Sequence, residues 1–169
     1  AKGYDTVTGA ISFPIYQSAT FRHPALHQST GYDYSRVKNP TREELENSVA
    51  ALERGSRCWA FSSGMAGIGA LLKLFRTGDH ILLSEDLYGG TVRICNAIYS
   101  KFGISFEYVD TSDVEVVKAS IKNNTKAIFV ETPSNPMMLV SDIAAISELA
   151  HAHQALLIVD NTFLSPHFQ

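Results

Sequence analysis

The segment LLIVD, at Leu156–Asp160, is apolar over its first four residues and ends in a carboxylate. A strand needs apolar side chains on both faces when helices cover both sides of its sheet, as they do in parallel sheets. The carboxylate stands at the end of the strand, and ligands of open α/β sheets bind at the edge where strands end. We therefore expect Asp160 to act on a ligand.

The pattern of an apolar strand followed by a helix recurs along the chain. Strands are predicted near residues 58–62, 81–84, 105–109, 127–131 and 155–160, and helices near residues 65–75, 91–99, 113–121 and 142–153. Repeated strand–helix units indicate an α/β fold with a mostly parallel sheet and helices on both faces. The loops SSGM, EDLYGG, ETPSNP and DNTF then leave the carboxyl ends of strands, so we expect them to meet at one edge.

The first 39 residues lack this pattern, and we interpret them as an extended N-terminal arm. They have no sustained period, yet they carry the aromatic residues Tyr4, Phe13, Tyr16, Phe21, Tyr32 and Tyr34. Because such an arm cannot close a core, we expect its rings to pack on the domain body or on another subunit. A helix then begins at Asn39 and Pro40 and ends near Gly55. A capping box of Thr41 and Glu44 is the alternative start.

Composition argues against several classes of function. With 169 residues, 45% of them hydrophobic, the chain is long enough to bury the core of one domain. A net charge of −3 with scattered basic residues argues against nucleic acid, and no apolar stretch approaches the roughly 20 residues of a bilayer helix. Cys58 and Cys95 lack metal or disulfide spacing, and His151 and His153 do not share a helix face, so no metal site is predicted. We expect a cytoplasmic protein with reduced thiols.

Two ends of predicted elements suggest a cofactor. The run at residues 58–62 passes into Ser63, Gly64 and Met65 and then turns helical, which leaves free backbone amides and a helix dipole for a phosphate. The carboxylate of Asp160 would favour a protonated ring nitrogen nearby. A cofactor with a phosphate and a cationic ring would use both features, and pyridoxal 5'-phosphate (PLP) is the main candidate.

Five motifs occur in order along the chain: YDYSRVKNPTR at residues 32–42, SSGM at 62–65, DLYGGT at 86–91, ETPSNP at 131–136 and VDNTF at 159–163. Together they resemble the Cys/Met-metabolism family of PLP-dependent enzymes, over nearly the whole chain. That family contains cystathionine γ-synthase, cystathionine γ- and β-lyases, methionine γ-lyase and O-acetylhomoserine sulfhydrylase. The resemblance implies the large domain of the PLP-dependent transferase fold type I. An incomplete PLP-binding domain would then cover residues 40–169.

The resemblance implies that two motifs hold the ends of the cofactor. Asp160, as a catalytic residue, would pair with the protonated pyridine nitrogen, and its structural alternative is a cap at the end of a strand. Gly64 and Met65 would donate backbone amides to the phosphate. An ordinary helix start is the alternative for this pair.

Two other loops would contact the cofactor ring. Tyr88 resembles the tyrosine that stacks on the ring, and its hydroxyl would take part in proton transfer. Asn135 would hydrogen-bond the phenolic oxygen of the cofactor, and Glu131 would support the loop of Asn135. The alternatives are a loop tyrosine that covers the sheet edge and a turn residue before Pro136.

Tyr34 and Arg36 resemble the pair that reaches the phosphate of a neighbouring subunit's cofactor. A guanidinium and a phenol suit a phosphate dianion. A surface tyrosine and arginine in a loop are the structural alternative. The resemblance implies a homotetramer, a dimer of dimers with shared active sites.

The family's Schiff-base lysine lies beyond VDNTF in a serine- and threonine-rich stretch, and the sequence stops at Gln169 first. None of the lysines present has that context. We therefore expect the arm and most of the PLP-binding domain of a longer enzyme, whose small domain would supply an arginine for the substrate carboxylate. A non-catalytic truncated chain, or one that assembles with a partner, is the alternative from another class.

Two positions bear on the substrate, which the resemblance implies is a small amino acid. Asp33 lies beside Tyr34, and both would bind the substrate. Asp33 would attract the distal ammonium group of cysteine or cystathionine, although a solvated acid is as good an interpretation. Gly90 stands where methionine γ-lyases typically carry a cysteine. We predict γ-replacement or γ-elimination on homoserine-derived or cystathionine-like amino acids. Cystathionine γ-synthase is favoured over the lyases and over the sulfhydrylase.

Overall fold

The computed structural model describes residues 6–169, and the chain divides after Phe61 into two compact units. The second unit contains a four-stranded parallel sheet. Its strands are β1 (His80–Ser84), β2 (Ser105–Val109), β3 (Thr125–Glu131) and β4 (Leu156–Asp160). Their order in the sheet is β2-β1-β3-β4. The structure therefore confirms the predicted parallel sheet.

Helices follow the strands, as the alternation predicted. The second unit contains α2 (Gly64–Leu72), α3 (Gly89–Ala97), a 3-10 helix (Tyr99–Phe102), α4 (Val114–Ser120), α5 (Ile143–Ala152) and α6 (Ser165–Phe168). The side chains of Asp113 and Asp142 accept hydrogen bonds from the first turns of α4 and α5, which explains where these helices begin. The boundaries of α2, α3, α4 and α5 lie within about three residues of their predicted positions, as expected for frayed helix ends. The 3-10 helix and α6 were not predicted.

The core of this unit has two sides because both faces of the central strands are apolar. Ile81 and Phe129 face a cluster completed by residues of α2 and α3, while Leu82 and Ile128 face a second cluster completed by α4 and α5. All four side chains are at most 2% exposed. Helices thus cover both faces, as the two-sided apolar strands predicted.

The strand order places a topological switch point between β1 and β3. From β1 the chain crosses to β2 on one side, and from β3 it crosses to β4 on the other. The loops that leave the carboxyl ends of β1 and β3 therefore diverge and leave a crevice between them. Ligands of open α/β sheets bind in such a crevice.

The first unit contains α1 (Pro40–Leu52), with Asn39 as its N-cap. The Asn39 side chain accepts a hydrogen bond from the backbone of Thr41, which confirms the first of the two predicted helix starts. Leu45 and Leu52 of this helix are 55% and 65% exposed. Rings of the arm pack on one another in two pairs, with centroids 6.1 Å apart for Phe13–Tyr16 and 5.6 Å apart for Phe21–Tyr32.

The predicted strand at residues 58–62 is wrong. Residues 57–61 have no regular secondary structure, and none of the described strands pairs with them. Trp59 and Phe61 are 65% and 52% exposed. An apolar run becomes a strand only where a neighbouring strand completes its hydrogen bonds, and this stretch has none in residues 6–169.

A buried histidine predicts a loss of stability in acid. The His80 Nδ1 atom lies 2.8 Å from the Thr125 hydroxyl. Burial lowers the pKa of His80 below its usual 6.5. The positive charge of Lys122 also lowers this pKa, whereas Glu107 raises it. The unfolded chain therefore binds this proton at a higher pH than the folded protein. We expect the unfolding midpoint in urea to fall as the pH drops through about 6.5.

The matched variants for this prediction are His80→Gln and His151→Gln. His80→Gln should flatten the pH dependence of the urea midpoint. His151→Gln, which replaces an exposed histidine, should leave that dependence unchanged. An equally steep dependence in His80→Gln would show that other groups cause the acid sensitivity.

Candidate cofactor site

A cleft of about 310 Å³ opens at the carboxyl edge of the sheet. Six residues that the sequence singled out line it: Gly64, Met65, Tyr88, Glu131, Asn135 and Asp160. The other lining residues are Ser63, Ile68, Pro133, Thr162 and Phe163. The structure thus brings together predicted residues that lie up to 96 positions apart in the sequence, from Gly64 to Asp160.

The N-terminus of α2 offers free amides to this cleft. Ser63 caps the helix, with its backbone and side-chain oxygens accepting hydrogen bonds from Ala66. The N–H groups of Gly64 and Met65 make no hydrogen bond within residues 6–169. A Cβ atom added to Gly64 would meet nothing within 4 Å, so a ligand can approach the backbone closely. Two free amides at the positive end of a helix suit a phosphate group.

Asp160 is held by one oxygen and keeps the other available. Its Oδ1 atom accepts hydrogen bonds from the Thr162 backbone at 3.1 Å and from the Thr162 hydroxyl at 2.5 Å. In the described chain, Oδ2 accepts no hydrogen bond. A carboxylate fixed in this way can accept a hydrogen bond from a protonated ring nitrogen. Sequence reasoning missed Thr162, although an aspartate that bonds the backbone two residues on is a known turn pattern.

The Tyr88 ring lies over Gly90 at the start of α3. Tyr88 is the N-cap residue of that helix and is 52% exposed. A Cβ atom at Gly90 would come within 2.5 Å of the Tyr88 ring and 2.9 Å of the Met65 sulfur. Any side chain at Gly90 would therefore displace the ring or the methionine.

Glu131 connects the Tyr88 and Asn135 loops at the end of β3. One carboxylate oxygen accepts a hydrogen bond from the Tyr88 N–H at 2.8 Å, and the other accepts one from the Asn135 N–H at 3.0 Å. The Asn135 side chain makes no hydrogen bond within residues 6–169, so its amide is available to a ligand. Burial raises the pKa of Glu131, as does the negative charge of Asp160, which is its register partner on β4.

The remaining predicted site residues belong to the first unit. The Arg36 guanidinium lies 5.1 Å from the centroid of the Tyr34 ring, which is a cation–π contact. The Asp33 carboxylate accepts a hydrogen bond from the Ser29 hydroxyl at 2.6 Å and lies 2.7 Å from His23 Nε2. The hydrogen bond from Ser29, followed by that from His23, lowers the pKa of Asp33.

Residues 6–169 hold no cluster of three or more histidine, cysteine or acidic side chains that could bind a metal ion. None of the helices described is both long and apolar enough to cross a membrane.

Comparison with known proteins gives the family. The model of the Cys/Met metabolism PLP-dependent enzymes matches residues 2–169. The chain belongs to this family. The family depends on PLP, which confirms the cofactor predicted from the sequence. The free amides of α2 and the available oxygen of Asp160 fit the phosphate and ring nitrogen of PLP.

Relatives within the Cys/Met metabolism PLP-dependent family carry different names. A cystathionine β-lyase of Lactococcus lactis subsp. cremoris is 52% identical over 98% of this chain and 43% of its own length. A cystathionine γ-synthase/O-acetylhomoserine (thiol)-lyase of Bacillus subtilis strain 168 is 50% identical over 98% of this chain and 44% of its own length. The chain therefore spans less than half the length of these relatives.

A solved structure shows the same fold. It is a cystathionine γ-lyase from Lactobacillus plantarum in complex with L-serine, 49% identical, with a TM-score of 0.92 over 98% of this chain and 43% of the other. This similarity confirms the fold type I assignment. The three relatives carry three different activity names, so the comparisons give the family and leave the individual member open.

Proposed function

We propose that the protein containing this chain is a PLP-dependent transsulfuration enzyme that acts on homoserine-derived or cystathionine-like amino acids. One observation supports this proposal most: a single cleft brings together the free amides of α2, the Tyr88 ring and the Asp160 carboxylate, which has one oxygen free of hydrogen bonds in the described residues. We place residues 40–169 in its PLP-binding domain, after an arm of 39 residues. We also propose a cytoplasmic location.

The residues of the cleft would hold PLP at three points. Gly64 and Met65 would donate their amides to the phosphate, where the positive end of α2 stabilises its charge. Tyr88 would cover the ring, and its hydroxyl would serve as an acid or base. The free side-chain amide of Asn135 would donate a hydrogen bond to the phenolic oxygen.

Asp160 would supply the electrostatic part of catalysis. PLP, when bound, acts as an electron sink for carbanions of the amino-acid substrate. The Asp160 carboxylate would keep the proton on the ring nitrogen, because an adjacent negative charge favours a protonated base. Thr162 orients the carboxylate through its two hydrogen bonds.

Among family members we favour cystathionine γ-synthase, which performs γ-replacement. Gly90 argues against methionine γ-lyase, which typically carries a cysteine at this position. Here the Tyr88 ring and the Met65 sulfur occupy the space that the side chain of a cysteine would need. Full-length protein supplied with cysteine and an acylated homoserine should form cystathionine. Cleavage of cystathionine without its synthesis would assign the protein to the lyases instead.

Asp33→Asn tests the proposed binding of a distal ammonium group. Asn keeps the size of the side chain and removes its charge, so we expect KM for cysteine to rise roughly tenfold in the full-length enzyme. Steady-state kinetics should show little change for a substrate without a distal amino group. An equal rise for both substrates would make Asp33 structural, in line with its bonds to Ser29 and His23.

Arg36→Ala tests the proposed homotetramer with shared active sites. If Arg36 reaches the phosphate of a neighbouring subunit, its loss should weaken PLP binding by about tenfold or more. Arg22→Ala, an exposed arginine on the same arm, is the control. Equilibrium dialysis against PLP measures both variants. Unchanged affinity in Arg36→Ala would contradict the sharing of sites between subunits.

A further inference from the structure

Two loops that line the cleft are tied together from both sides by carboxylates. Glu131, at the end of β3, accepts the Tyr88 N–H from the loop after β1. In return, Asp86, in the loop after β1, accepts hydrogen bonds from the loop after β3: the Ser134 hydroxyl at 2.5 Å and the Met137 N–H at 2.9 Å. Each side thus contributes a carboxylate that accepts a hydrogen bond from a backbone N–H group of the other loop.

This exchange spans the topological switch point. The loops after β1 and β3 leave neighbouring strands and then diverge toward opposite sides of the sheet. A crevice between diverging loops has no regular backbone ladder to fix its width. Three hydrogen bonds cross between the loops: one from Tyr88 to Glu131, and one each from Ser134 and Met137 to Asp86. Hydrogen bonds to charged acceptors are shorter and stronger than neutral ones. The three bonds supply the missing restraint.

Three buried hydroxyl groups hold the backbone of Glu131 in place. The Glu131 N–H donates to the Ser84 hydroxyl at 3.3 Å, and that hydroxyl lies 2.7 Å from the Thr111 hydroxyl. The Thr111 hydroxyl lies 2.9 Å from the Ser141 hydroxyl. Ser84, Thr111 and Ser141 are at most 6% exposed. This series of hydrogen bonds joins the ends of β1 and β3 to the loop after β2 and to the start of α5. It keeps the Glu131 backbone in place.

The position of Glu131 requires a carboxylate. Glu131 is 6% exposed, and each of its two carboxylate oxygens accepts one backbone N–H group, that of Tyr88 or that of Asn135. An ionised carboxylate only accepts hydrogen bonds, whereas a glutamine would turn its own donor toward one of those N–H groups. One loop would then lose its attachment.

We propose that Asp86 and Glu131 form a reciprocal carboxylate clamp that sets the spacing between Tyr88 and Asn135. Both acids are then positioning residues of the cofactor site. The role in holding PLP rests on the proposed function, while the clamp itself is a property of the protein without cofactor. The two can therefore be tested separately.

The experiment uses the full-length protein and the variants Glu131→Gln, Asp86→Ala and the double variant. Alanine is used at position 86 because both hydrogen bonds reach one oxygen of Asp86, which an asparagine would retain. Glu85→Gln is the matched control, because that neighbouring acid is exposed and its side chain makes no hydrogen bond or ion pair in the described part of the chain. Amide hydrogen exchange is measured first on PLP-free protein, at the Tyr88 and Asn135 loops and at β1. The PLP dissociation constant and the circular dichroism of bound PLP are measured next.

Each single variant should speed exchange in the two loops by about tenfold without changing exchange in β1. PLP affinity should fall about tenfold, with an altered dichroism of the bound cofactor. Because both acids act on the same pair of loops, the double variant should lose less affinity than the product of the two single losses. The Glu85→Gln protein should match the wild type.

Unchanged loop exchange in both single variants would overturn the clamp, as would losses that multiply in the double variant. If Glu131→Gln does not fold, Asp86→Ala alone decides by the same readouts. A wild-type protein that does not bind PLP would refute the proposed function, and the exchange data on PLP-free protein would still decide on the clamp.

Discussion

Asp160→Asn in the full-length enzyme is expected to lower kcat/KM on the order of a hundredfold to a thousandfold. Asparagine has nearly the same shape and can still accept the two hydrogen bonds from Thr162 at its oxygen. It carries no negative charge, so it no longer favours a proton on the ring nitrogen of PLP. Steady-state kinetics at saturating PLP measure the effect on turnover apart from the effect on cofactor binding.

Thr162→Val is the matched variant for this prediction. It keeps the Asp160 charge and removes only one of the two hydrogen bonds to Oδ1, so we expect a smaller loss of kcat/KM. If Asp160→Asn keeps more than about a tenth of wild-type activity with PLP bound, the charge of Asp160 is not the source of catalysis.

Gly64→Pro is expected to weaken PLP binding by about tenfold to a hundredfold while leaving α2 intact. Gly64 is the first residue of the helix, where proline is well accommodated. Ser63 before it has the extended backbone, φ −162° and ψ 161°, that a following proline requires. The substitution therefore removes one N–H group that we assign to the phosphate and keeps the helix that carries it.

Gly64→Ala separates the lost hydrogen bond from added bulk. The alanine keeps the N–H, and its Cβ meets no atom within 4 Å. Fluorescence titration with PLP should show near wild-type affinity for Gly64→Ala and weak binding for Gly64→Pro. Equal affinities in the two variants would show that the Gly64 amide does not bind the phosphate.

Much of the fold could be predicted because its signals are local. The apolar residues of β1, β3 and β4 and the capping acids Asp113 and Asp142 can all be identified in short stretches of sequence. The stretch at residues 58–62 has the same apolar character, and the structure nevertheless shows no strand there. Strand formation depends on a partner strand, and a single segment does not reveal whether one exists.

The candidate site was predicted in part for the same reason. Tyr88 and Asp160 stand just after and at the ends of strands, so their meeting at one sheet edge follows from the α/β alternation. No described strand precedes Gly64, so the predicted alternation does not explain its position at this edge. The hydrogen bond between Tyr88 and Glu131 joins residues 43 positions apart, and those of Asp86 reach 48 and 51 positions. No periodicity marks such contacts between loops, so only the structure reveals them.

The most direct test of the account is the absorption spectrum of purified full-length protein before and after reduction with borohydride. If PLP binds in the cleft of the second unit, the protein should show an absorption band of the bound cofactor that is lost on reduction. In Gly64→Pro protein the band should be weak unless PLP is added in excess. A colourless full-length protein whose spectrum and stability do not respond to added PLP would contradict the account.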